Sequence, residues 1–200
     1  MKKLFTILTV SLLITLSLNA QENKTFTGIV EKISGIPIYL YSEPQVEFDI
    51  VGKANTAVDI IKVGVNMNLN VYEKGEKIVE TAFKRKEAGK IPEFDAIIAD
   101  VNKEKILAIK YKNEPSLNAK IQLEEGIAIY IFSQPKAEYE KIADLPADFS
   151  MRAETGMLSD KVRSMVKRYL RKVTKGELEE FDAIIFNPKD LNGQAIKFKK

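Results

Sequence analysis

The sequence predicts an α+β fold in which a small strand-strand-helix-strand-strand module occurs twice in tandem. Its sheets are expected to be antiparallel or mixed, with one helix packed on each module. Three repeats carry that expectation. GIPIYLYSEP at 35–44 returns as GIAIYIFSQP at 126–135, and EFDAII at 93–98 returns unchanged at 180–185. Ala108-Ile109-Lys110-Tyr111-Lys112 then returns as Ala195-Ile196-Lys197-Phe198-Lys199, at the same distance behind its EFDAII block. Shared order and shared spacing make chance similarity a poor explanation. The expected organisation is an export signal at 1–20, a first repeat at 21–113 and a second at 114–200.

The chain opens Met1-Lys2-Lys3, runs through an apolar stretch from Leu4 to Leu18 and ends that segment at Asn19-Ala20 before Gln21. This is the pattern of a cleaved secretory signal, and its apolar run of about 15 residues is short of the ~20 that span a bilayer. With the signal removed, no transmembrane segment is expected, and the protein is expected to be exported, periplasmic or extracellular. Lys2 and Lys3 leave with it, so 29 basic residues remain against 28 acidic ones. A charge so close to neutral gives no reason to expect a nucleic-acid partner.

His, Cys and Trp are all absent. Disulfides, soft-metal sites and Cys- or His-based catalysis are therefore excluded, and stability must come from packing. No cofactor and no metal site is expected.

Along each copy, Ile36, Ile38 and Leu40, and again Ile127, Ile129 and Ile131, alternate with other side chains at the period of a strand. Both strands are expected to stop in a turn at Ser42-Glu43-Pro44 and Ser133-Gln134-Pro135. Second strands follow at Val46–Val51 and Ala137–Ile142, and opening strands are expected at Phe26–Ile33 and Ala119–Leu123. Val65, Met67, Leu69 and Val71 alternate with asparagines, which reads either as a strand or as a lead-in to a helix. The first helix buries Ile78, Val79, Ala82 and Phe83 and ends near Gly89. Val162, Met165, Val166, Tyr169, Leu170 and Val173 mark the second helix, with Ser159 as its N-cap and Gly176 as its stop. A hairpin follows each helix, the second closing through Asn192-Gly193. In these hairpins Asp95 is expected opposite Tyr111, and Asp182 opposite Phe198. Residues 113–119 are the expected link between the halves.

Polar types that repeat are the natural places to look for chemistry. They are Ser42 and Ser133, Glu47 and Glu138, Asp95 and Asp182, and Lys110 and Lys197. The serines read as turn formers and the aspartates as groups that satisfy backbone donors. Two carboxylates suffice for glycoside hydrolysis, so Glu47 with Asp95, or Glu138 with Asp182, define a small hydrolase of envelope glycan as the alternative function. Asn187, Asp190 and Asn192 hold oxygen ligands of the kind calcium accepts, but not at the spacing of a twelve-residue loop.

The leading expectation is a non-catalytic binding or interaction module of the cell envelope, with a protein or envelope glycan as partner. Its expected binding residues are Tyr39, Tyr41, Tyr130 and Phe132, exposed as glycan-stacking surfaces, and the basic Lys167, Arg168 and Arg171 of the second helix. The same four aromatics fit equally well as a seam between the halves. From strand through Ser-x-Pro, strand, helix and Asp-Ala-Ile-Ile strand, each copy resembles small envelope-sensor and YbjQ-like modules of bacteria. That resemblance implies no function or residue roles, because such sensors depend on cysteines that this chain lacks.

Overall fold

A computed structural model describes residues 26–55, 70–100, 105–146, 158–190 and 192–199. The expected signal at 1–20 and the alternating stretch from Val65 to Leu69 lie outside the described residues. The strands of the first part of the chain are β1 (Thr27–Val30), β2 (Lys32–Ile33), β3 (Ile36–Leu40), β4 (Ser42–Pro44) and β5 (Phe48–Asn55). Helix α1 (Val71–Glu87), β6 (Ala96–Asp100) and β7 (Lys105–Tyr111) complete it. The same succession follows as β8 (Asn118–Ile121), β9 (Leu123–Glu124), β10 (Ile127–Tyr130), β11 (Ser133–Pro135), β12 (Tyr139–Leu145), α2 (Leu158–Thr174), β13 (Ala183–Phe186) and β14 (Gly193–Phe198).

The fold is α+β, and the described residues form three sheets. Two have five strands, in the orders β2-β3-β6-β7-β5 and β9-β10-β13-β14-β12. Both are mixed, since β3 runs parallel to β6 and β10 parallel to β13 while their other pairs are antiparallel. The third sheet, β4-β8-β1-β11, takes two strands from each half. Gly28 faces Ala119 at its centre, Val30 pairs with Ser133, and Ser42 pairs with Ile121. The opening strand of each half thus pairs with the Ser-x-Pro strand of the other, and the expected link at 113–119 already contributes Asn118 and Ala119 to β8.

Several local expectations change for physical reasons. Ser-Glu-Pro and Ser-Gln-Pro are not turns but the two outer strands of the shared sheet, where a proline leaves no ladder bond unmade. The chain reaches them by changing layer at Tyr41 and Phe132, which hold φ of 54° and 53°. Left-handed backbone is uncommon for bulky residues and persists only where its surroundings enforce it. The tight turns lie earlier, at Ser34-Gly35 and Glu125-Gly126, where both residues have positive φ as a two-residue hairpin requires. They divide each expected opening strand from β3 or β10.

Asn192-Gly193 does not close a tight turn. Gly193 is the first residue of β14, opposite Phe186, and a Cβ there would come within 2.9 Å of Ile184 Cγ2. The hairpin registers also shift by one residue. Ala96 pairs with Ile109 and Ala183 with Ile196, so Asp95 and Asp182 stand just before their strands.

Helix α1 starts in a capping box, with Asn70 Oδ1 accepting from Glu73 N–H and Glu73 Oε2 accepting from Asn70 N–H, each at 2.9 Å. Val71 therefore begins a helix, with Asn70 as its N-cap. In α2, Ser159 is the second helical residue and is buried, so it is not the N-cap. Both helices stop as expected at a left-handed glycine. Gly89 N–H donates to Lys86 O and Lys90 N–H to Arg85 O, and Gly176 and Glu177 repeat the arrangement on Val173 and Lys172, a Schellman closure.

Strand alternation divides the core into two layers. Ile38, Leu40, Ile97, Ile129, Ile131 and Ile184 join Val79, Val162, Met165 and Val166 of the helices in one cluster. On the other face, Tyr39, Ile98, Ile109, Tyr130 and Ile196 meet Val30, Ala119 and Ile121 of the shared sheet. Full burial of each large aliphatic side chain contributes about 1.5–3 kcal/mol, and both clusters draw on both halves.

Candidate functional site

The four aromatics expected at a glycan surface are all buried: Tyr39 and Tyr130 are 0% exposed, Tyr41 2% and Phe132 3%. They offer no face for sugar stacking. Tyr39 shares a 2.8 Å hydrogen bond with the Tyr111 hydroxyl and donates to Ser116 O at 2.8 Å, ahead of β8. Tyr130 donates to Thr27 O at 3.1 Å, in β1. Each tyrosine thus reaches the segment that opens the other half.

The two left-handed aromatics cross over as well. Phe132 lies 6.2 Å from the Tyr72 ring of α1, centroid to centroid, and Tyr41 lies in the field of Glu124, Arg163 and Asp160. Burial pushes the hydroxyls of Tyr39, Tyr41 and Tyr130 well above the ordinary tyrosine range, with Tyr111 adding to the effect at Tyr39 and Glu124 at Tyr41. All three are held neutral.

The basic face of α2 is exposed but engaged. Arg163 Nε donates to Glu124 Oε1 at 2.6 Å, and Lys167 pairs with Glu125 at 3.3 Å, both acids coming from the β9–β10 hairpin. Arg168 and Lys172 each lie 5.7 Å from the Tyr169 ring centroid, while Arg171 is exposed in the last turn. Arg163 and Lys167 thus tie the helix to the β9–β10 hairpin.

The repeated acids are also spoken for. Asp95 Oδ2 accepts from Tyr111 N–H at 2.8 Å and Asp182 Oδ2 from Phe198 N–H at 3.0 Å, both across 16 residues. Glu47 lies 3.8 Å from Lys112, and Glu138 lies 3.2 Å from Lys199. The exposed Lys110 and Lys197 stand on β7 and β14.

An open groove of about 690 Å³ lies elsewhere. Its walls are Glu31, the edge strand β11 with Phe132, the two ends of β12 with Pro146, and the β13–β14 hairpin with its loop. Sequence reasoning did not find it, because residues more than 150 positions apart build it. That loop is braced from within. Asn187 Oδ1 accepts from Lys189 N–H at 2.9 Å, Asp190 Oδ1 from Asn192 N–H at 3.0 Å, and Asn187 N–H donates to Asn192 O at 2.8 Å. The oxygens that suggested calcium therefore hold a loop in shape. Pro188 O accepts from Tyr72 N–H at 3.0 Å, fastening the loop to the start of α1.

On the opposite wall, Glu31 Oε1 accepts from Gln134 Nε2 at 3.0 Å. Ser133 stands beside them, its Oγ buried with no hydrogen-bond partner. Its counterpart Ser42 donates to Leu40 O at 3.4 Å. Among the described residues, acids and amides dominate the polar lining, and neither Lys nor Arg is part of it. None of Glu47, Asp95, Glu138 or Asp182 lines it.

Among known protein families, curated proteins and solved structures, none matches this chain. The resemblance to envelope-sensor and YbjQ-like modules gains no support there. No helix among the described residues is long and apolar enough to cross a membrane.

Proposed function

We propose that this is an exported, non-catalytic binding module of the cell envelope, built by tandem duplication, whose ligand occupies the groove beside β11. The observation that carries this reading is the groove itself. Its volume falls within the ~300–1,000 Å³ of ordinary ligand sites, and its polar groups stand on a braced loop and a sheet edge. The non-catalytic part is supported by the engagement of the four repeated acids in backbone bonds and lysine pairs. Duplication is supported by the repeated sequence and by the matching strand orders of the two five-stranded sheets. Export rests on the amino-terminal pattern alone.

A thermal-shift panel on residues 21–200 tests the function, with peptides, envelope glycans, anionic lipid headgroups and small metabolites as probes. A ligand at a hundredfold its Kd adds about 2.7 kcal/mol, a rise of roughly 5–10 °C for a domain of this size. Loss of that rise on replacing groove residues supports the assignment. A ligand whose effect survives those replacements places binding elsewhere, and a panel without hits removes the reading.

A further inference from the structure

We propose that the groove takes an extended peptide and reads a lysine or arginine side chain on it; this rests on the binding reading above. Three features of the groove fit three parts of such a ligand. Glu31, Asp144 and Asp190 put three carboxylates on its walls, with no lysine or arginine among the described lining residues, which favours an ammonium or guanidinium group over an anion. The partners already found for two of these acids leave acceptor capacity: Glu31 bonds a neutral amide, and Asp144 is a largely exposed acid paired with Lys141 through one oxygen, while both Asp190 oxygens accept from Asn192.

Gln134 and Gln194 supply both donors and acceptors, as the main-chain amides of a peptide need. Leu145, Phe186 and Pro188 give the apolar contact along which the stem of a long basic side chain lies. Ser133 lines the same wall with its Oγ buried and unpartnered, a donor that a peptide carbonyl seated against β11 would satisfy. A free polyamine would use the carboxylates and the amide oxygens but brings no acceptor for the amide N–H groups or for the proton of this hydroxyl.

The test is fluorescence anisotropy on residues 21–200 with labelled Gly-Ser-Lys-Arg-Ser-Gly, the same hexapeptide carrying Glu-Glu in place of Lys-Arg, and spermidine as competitor. The basic peptide is expected to bind at least about tenfold more tightly than the acidic one, and less tightly as salt rises. The double variant Glu31→Gln/Asp144→Asn is expected to lose about tenfold or more in affinity with its melting temperature unchanged. Equal binding of the two peptides, undiminished binding by the double variant, or spermidine binding as tightly as the peptide overturns the proposal. If the thermal-shift panel finds a groove ligand while no basic peptide binds, this proposal falls and the binding reading stands. If neither screen finds a ligand, both fall.

Discussion

Leu40 and Ile131 meet in an antiparallel bridge, and each holds the place of the other in the repeated GIxIYxxSxP segment. Gly28 and Ala119, likewise separated by 91 positions, meet at the centre of the shared sheet. The two halves therefore join at equivalent positions, as two copies related by a local two-fold axis would.

At Gly28 the fit leaves no room for a methyl. An added Cβ would lie 2.9 Å from Gln134 O, a backbone atom, and 3.0 Å from both Ile121 Cδ1 and Tyr130 Cε1. Gly28→Ala is expected to cost about 1–3 kcal/mol, a fall of roughly 2–4 °C in melting temperature per kcal/mol. Thermal denaturation of the variant checks this; an unchanged Tm would show that the sheet shifts freely.

Gly75, inside α1, sits over Ile33. A Cβ there would come within 2.7 Å of Ile33 Cδ1 and 3.3 Å of Phe132 Cζ. Alanine improves helix propensity by roughly 1 kcal/mol, yet Gly75→Ala is expected to be destabilising because Ile33 is buried and cannot move aside. Ile33→Val removes the clashing carbon. The double variant should therefore be more stable than the sum of the single changes implies, by at least about 0.5 kcal/mol in a denaturant cycle.

Tyr39 and Tyr130 distinguish a seam from a ligand surface. Tyr39→Phe removes two hydrogen bonds and strands the Tyr111 hydroxyl, costing about 1–3 kcal/mol, whereas Tyr130→Phe removes one and costs about 1 kcal/mol. Neither change is expected to weaken ligand binding. Adding Tyr111→Phe to Tyr39→Phe should recover part of the loss.

Unpartnered hydroxyls give the opposite result. Tyr41 Oη and Ser133 Oγ are buried without hydrogen-bond partners, so Tyr41→Phe and Ser133→Ala remove a desolvation cost. Both variants are expected to equal or exceed the parent in stability, by up to about 1 kcal/mol in chemical denaturation. A loss above that size would show that each hydroxyl is satisfied in solution.

Alkaline pH should destabilise the fold. Tyr39, Tyr41, Tyr111 and Tyr130 are all raised above the usual 10.0, burial being the largest cause. Above that pH the unfolded chain loses tyrosyl protons that the folded chain keeps, so the stabilisation is complete below pH 10 and declines as pH rises further. Lys74, lowered by partial burial and by Lys161, pulls the other way, as one group against four. Absorbance at 295 nm should show these tyrosines ionising together with unfolding; early ionisation of all seven would contradict their burial.

Much of the local structure was legible. Alternation at Ile36 to Leu40 and Ile127 to Ile131 identified the inner strands, three- and four-residue spacing identified α2, and Gly89 and Gly176 stopped both helices. Misreadings came where a residue suits two environments. Proline after serine suits a turn and also a sheet edge, Asn-Gly suits a hairpin and also a crowded strand end, and an aromatic in an alternating strand suits solvent only if that face is uncovered. The groove was not legible, since Glu31, Ser133 and Asn192 share no local pattern.

Local sequence is enough to set the α+β class, the repeated order of elements, most helix and strand centres and both helix stops, because dihedral preference and side-chain periodicity act within a few residues. Long-range packing sets the pairing of β1 and β8 with each other and with the Ser-x-Pro strands of the opposite half. That pairing depends on a layer change at Tyr41 and Phe132, a backbone state that their own side chains disfavour and that packing from both halves enforces. Once the shared sheet covers that face, Tyr39 and Tyr130 become core, while the groove beside β11 stays open.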